Sequence, residues 1–149
     1  MTLKTSGAEI ATGRREPRDP VRISQEWATP RSGALSPALT LRISAYIEAH
    51  LDQRCRTAEL ARVAGFSKSH FTRLFAKRFG LRAQLYIMRR RVAMAQALMQ
   101  TEAPLSEIAL SCGMSDQSHF SKQFRRVVGQ SPSVWRRSIG ANAPDRVNP

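Results

Sequence analysis

The sequence predicts an all-α fold, and three observations carry that expectation. Apolar residues recur at steps of three and four along most of the chain, no segment alternates with a period of two, and a helix–turn–helix-like segment occurs twice in register. Of the 149 residues, 42% are hydrophobic, enough for a real core and against full disorder. Residues 1–38 stand apart. Pro17, Pro20, Pro30, Pro37 and three glycines interrupt them and no apolar period is sustained, so they read as a disordered or flexible arm, far too short for a ligand-sensing domain. Residues 140–149 read as a flexible tail, which leaves 39–139 as the folded part.

The helices of that part follow in order. Leu39, Ile43, Tyr46, Ile47 and Leu51 fall on one face and predict a first amphipathic helix. Residues 57–64 predict a second, with Thr57 as its N-cap and Gly65 in the turn beyond it. Ser67 caps a third helix that runs through Phe79 and stops at Gly80. Leu85, Met88, Val92, Ala95 and Met99 repeat the helical step and predict a long linker helix with that stripe as its inner face. Pro104 then opens a further short helix, Gly113 sits in its turn, and Ser115 or Asp116 caps the next.

The repeat sets the architecture. Ala61, Gly65, Ser67, His70, Phe71, Phe75 and Gly80 correspond to Ala109, Gly113, Ser115, His119, Phe120, Phe124 and Gly129, and Tyr86 corresponds to Trp135. The offset is 48 residues before the turn and 49 after it, so the second copy carries one extra residue. Each copy reads as two short helices around a glycine-bearing turn, and the linker helix joins the two units.

Charge points to the partner. Lys plus Arg number 24 against 11 Asp plus Glu, a formal net charge of +13, which favours a polyanion. Arg62 to Arg91 contains nine basic residues and no acid, and Gln117 to Arg137 contains five and again no acid. These windows coincide with the second helix of each unit. Phe71, Leu74, Phe75 and Phe79 must face the core in the first, and Phe120, Phe124 and Val127 or Val128 in the second. A recognition helix reads base edges with its N-terminal turns. Ser69, Thr72 and Arg73, with Gln117, Ser118, Ser121 and Lys122, are therefore the candidates for base contact. Lys68, Lys77, Arg78, Arg125 and Arg126 are the candidates for phosphates, which position a protein without reading sequence.

Other chemistries find little support. Two cysteines, Cys55 and Cys112, supply neither a disulfide scaffold nor a four-cysteine zinc site, and they read as buried small apolar residues. His70 and His119 lack neighbouring ligands, so no metal or cofactor is expected. No phosphate-binding glycine loop, HExxH or nucleophile triad occurs, so no enzyme is expected. No stretch reaches the length of a membrane span and no secretory signal opens the chain, so the expected location is the cytoplasm, associated with the nucleoid.

Residues 40–138 resemble the DNA-binding domain of the AraC/XylS family of bacterial transcription regulators. The matching segments are IEAHLDQ, ELARVAGFSKSHFTRLFAKRFG, RRRVAMAQALM, EIALSCGMSDQSHFSKQFRRVVGQSP and SVWR. Two positions depart from the family's habit: Ala83 stands where proline is frequent, and Met114 where phenylalanine is usual. The resemblance implies seven helices, with the two units entering adjacent major grooves of double-stranded DNA. It implies base reading by Ser69, Thr72, Arg73, Gln117, Ser118 and Lys122. It further implies a short, single-domain regulator that binds as a monomer and activates transcription through RNA polymerase.

Overall fold

The computed structural model describes residues 33–141, in which every regular element is a helix: α1 (Pro37–Ala49), α2 (Thr57–Ala64), α3 (Lys68–Phe79), α4 (Ala83–Leu98), α5 (Leu105–Ser111), α6 (Gln117–Val128) and α7 (Pro132–Ala141). The expected all-α architecture is thus present, with two helix–turn–helix units, α2–α3 and α5–α6, joined by the long α4. The arm up to residue 32, including Trp27, and the tail from residue 142 lie outside the described residues.

The folded part begins earlier than expected. Leu35 is only 4% exposed and belongs to the first core. Ser36 caps α1 by accepting the Leu39 N–H at 3.2 Å, and Pro37 occupies the first helical turn. A boundary at residue 38 therefore cuts through α1. Pro37 reads as a breaker in sequence, yet proline suits the start of a helix, where its missing N–H has no partner to lose. At the other end α7 runs to Ala141, two residues past the expected limit.

Capping differs from expectation at α2. Thr57 is the first helical residue, and Arg56 is the N-cap, its N–H donated at 3.0 Å to the Glu59 carboxylate in the reciprocal half of a capping box. The Thr57 hydroxyl instead accepts from Gln84 Nε2 at 3.2 Å, which ties α2 to α4. Ser67 caps α3 as expected, accepting the His70 N–H at 3.3 Å. In the second unit Asp116, not Ser115, fills that role, accepting the His119 N–H at 2.7 Å. Ser115 is thus the extra residue of the second copy, and its hydroxyl donates to the Asp116 carboxylate at 3.0 Å.

Two separate cores result. Ile43, Ile47, Leu60, Phe71, Phe75, Ala83 and Ile87 build the first, and Val92, Ala95, Met99, Ile108, Cys112, Phe120 and Phe124 the second. The sequence repeat is repeated in packing. Phe71 and Phe75 lie 5.5 Å apart between ring centroids and Phe120 and Phe124 5.6 Å, while Tyr86 and Trp135 each set an edge against the second phenylalanine of their unit. Met114, replacing the usual phenylalanine, is buried at 3% exposure.

The expected inner stripe of α4 is only partly correct. Val92, Ala95 and Met99 are buried, but Leu85 is 39% exposed, Met88 is half-buried, and the core residues of the first turns are Ala83 and Ile87. At 100° per residue, Ala83 and Ile87 lie about 130° round the helix from Val92, Ala95 and Met99. The two ends of α4 belong to different cores on different faces, so no single stripe describes it.

Candidate nucleic-acid interface

On α3, the core takes Phe71, Leu74 and Phe75. Ser69 and Arg73 are exposed, as are Lys68 and Lys77. Thr72 is half-buried, and its hydroxyl donates to the Lys68 carbonyl at 2.8 Å, which leaves its methyl group and a lone pair to offer a base. Arg78 is exposed as well, about 140° round the helix from Arg73, and its Nε donates to Thr40 Oγ1 of α1 at 3.3 Å. Lys77 Nζ likewise donates to the Gly33 carbonyl at 3.4 Å, so both side chains also tie α3 to the start of the fold.

On α6, Phe120 and Phe124 are buried, and Gln117, Ser118, Lys122, Arg125 and Arg126 are exposed. Ser121 is half-buried, close to the core edge. Arg126 borders a groove of about 360 Å³ between α6 and the start of α4, shared with Leu85 and Met88. The Asp116 carboxyl is held below its ordinary pKa, first by the His119 N–H and then by the Ser115 hydroxyl. It stays ionised and keeps the first turn of α6 in place.

The beginnings of α3 and α6 border one cleft of about 940 Å³ between the units, with Lys68 on one side and Ser115 and His119 on the other. Arg54 and Arg56, both exposed, line the same cleft. Sequence reasoning assigned neither, although the QRCR run before α2 carries the signal. Asp52 also lines this cleft, whereas Glu48 pairs with Arg90 through two bonds of 2.6 and 3.0 Å that join α1 to α4.

Cys55 and Cys112 are buried free thiols. Burial pushes both pKa values up, that of Cys112 to about 11, so both are protonated and weakly nucleophilic near neutrality. Among the described residues, no group of three or more His, Cys, Asp or Glu side chains is placed to hold a metal, and no helix is long and apolar enough to cross a membrane.

Two equivalent helices, each capped, cationic and acid-free on its open side, and both starting at one cleft, define a tandem helix–turn–helix domain. The family described as "Helix-turn-helix domain" matches residues 60–138. LumQ of Photobacterium leiognathi, a probable transcriptional regulator, is 41% identical over 95 residues, which are 63% of this chain and 38% of that protein. The transcriptional activator AarP of Providencia stuartii is 32% identical over 120 residues, 80% of this chain and 85% of AarP. The DNA-binding domain of AdpA, solved with a target DNA, is 28% identical with a TM-score of 0.68, over 74% of this chain and 99% of that one. An AraC-type regulator from Chromobacterium violaceum is 26% identical with a TM-score of 0.63, over 68% of this chain and 91% of that one. The chain spans about a third of the length of some relatives it matches (38% of LumQ, and 31% of YbfP of Bacillus subtilis). It belongs to the AraC/XylS family of helix–turn–helix, DNA-binding transcription regulators.

Proposed function

We propose that this chain is a sequence-specific regulator of transcription that inserts α3 and α6 into adjacent major grooves of double-stranded DNA. The observation that carries the reading is the pairing of two capped, acid-free helices whose starts border one cleft. Ser69, Thr72 and Arg73 read one block of bases, and Gln117, Ser118, Ser121 and Lys122 read the other. Arg and Lys suit guanine O6 and N7, Gln suits adenine N6 and N7, and the Thr72 methyl suits thymine. Lys68, Lys77, Arg78, Arg125 and Arg126 hold phosphates. AarP, of which the chain matches 85%, is a transcriptional activator, and this supports activation; the partner we propose for that step is RNA polymerase. The protein acts in the cytoplasm and binds as a monomer, because two unlike faces on one chain suit a non-palindromic site. The reading calls on no catalytic step and no cofactor.

Selection of bound duplexes from a random DNA pool, repeated at two salt concentrations, tests it. Enrichment of a non-palindromic site with two blocks about 10 base pairs apart is expected. Sequence-indifferent binding that fades steeply with salt would replace this function with charge attraction alone.

A further inference from the structure

The two units barely touch each other. None of α1–α3 packs extensively on α5–α7, every extensive helix contact is made within a unit or with α4, and the two cores share only Met94 at their margins. A cleft of about 940 Å³ lies between them. Across that seam one side chain reaches both sides. Arg91, half-buried on α4, donates through Nη1 to the Gly113 carbonyl in the turn of the second unit at 3.1 Å, and through Nη2 to the Gln53 carbonyl in the α1–α2 connection of the first. The backbones it clamps are themselves in close approach. Gly113 has φ +67, and a Cβ there would collide with the Leu51 carbonyl oxygen.

We infer that Arg91 is a positioning residue that fixes the angle between the two units, and thereby the number of base pairs separating the two blocks of the DNA site. The physical reason is the guanidinium's shape. Its donors form a rigid planar fork, so two carbonyls held by one group are held at a set distance and direction from each other. The continuous α4 decides where each core is attached, but a helix can bend and twist, and a small rotation at the seam is amplified at the far ends of α3 and α6. Arg91 removes that rotation. It points into the seam, whereas the candidate base-reading residues lie on the open sides of α3 and α6. The inference rests on the two-block reading above.

The test compares the full chain with Arg91→Lys and Arg91→Gln on duplexes carrying both blocks at the selected separation, or with one or two base pairs inserted or removed between them. Duplexes with a single intact block report whether each unit is folded and reads its own bases, and thermal melting reports global stability. The wild type is expected to lose about tenfold or more in affinity at a wrong separation, comparable to a mismatch within a block. In Arg91→Lys, which keeps the charge but replaces the rigid planar fork with a flexible point donor, that penalty should shrink to about threefold or less, with single-block preference and salt slope retained. Arg91→Gln should behave alike. An Arg91→Lys protein with the wild-type penalty overturns the positioning role and leaves the two-block function standing. A wild type that tolerates every separation overturns a fixed spacing altogether. A random-pool selection that yields no second block overturns the functional reading beneath it.

Discussion

Arg73 and Arg78, five positions apart on one helix, differ in their neighbours. Arg73 is exposed on the open side of α3 with no hydrogen-bond partner among the described residues, while the exposed Arg78 also donates through Nε to Thr40. Arg73→Ala should therefore relax base preference in one block only, at about 1–3 kcal/mol for the base it reads. Gln117→Ala and Lys122→Ala should relax the other block and leave the first intact. Arg125→Ala should weaken all sequences alike and lower the salt slope by about one. Binding selections on these variants separate the cases, and a uniform loss in Arg73→Ala would reassign it to phosphate. Cys112 gives a second prediction at this scale. Its pKa is raised from 9.0 to about 11 by burial, so the stability this thiol supports is complete below pH 9 and lost as pH rises towards 11. Chemical denaturation across that range should show the loss, and Cys112→Ala should reduce it, leaving the part due to Cys55.

At the scale of the element, α4 offers the sharpest contrast. Val92 is 1% exposed in the second core, so Val92→Asp places an unpaired charge there and should cost more than about 3 kcal/mol. Leu85 occupies the same expected stripe but is 39% exposed, and Leu85→Asp should cost less than about 1 kcal/mol. Equal losses in urea denaturation would show that both face a core. The caps give another test. Asp116→Ala should lower the melting temperature, and Asp116→Ser should restore most of it, because either oxygen can accept the His119 N–H. Since the Asp116 pKa is depressed from 3.8, its contribution is present above that value and lost as pH falls below it. The Ser variant should lack that acid dependence.

For the whole molecule, the decisive features are the two cores and the seam between them. The first core extends to Leu35, outside the stretch that composition marks as folded. A chain starting at Leu39 should therefore be less stable than one starting at Gly33 by about 3 kcal/mol, the sum of a buried leucine and the Ser36 cap. Equal melting temperatures would show that Leu35 and Ser36 contribute little. Much of this molecule was legible in advance because its signals are local. Gly65, Ser67 and Gly80 punctuate the first unit at the expected places, and the phenylalanine spacing alone separates the core face of α3 from its open face.

Where reading by residue failed, a distant partner had decided the outcome. Thr57 resembles a cap, but Gln84 engages its hydroxyl and Glu59 caps the backbone instead. Leu85 fits the helical period, but α4 leaves one core and enters another along its length, and a period assumes a single partner surface. Arg91 carries no sequence signal at all, since both its acceptors are backbone carbonyls, which every residue type presents. The sequence by itself determined the helices, their turns, the duplication and the cationic faces, because helix period, capping and charge act within a few residues. Only the tertiary structure decided which basic residues also tie one element to another and how one unit is held against the other, because those depend on groups that meet only after the chain has folded.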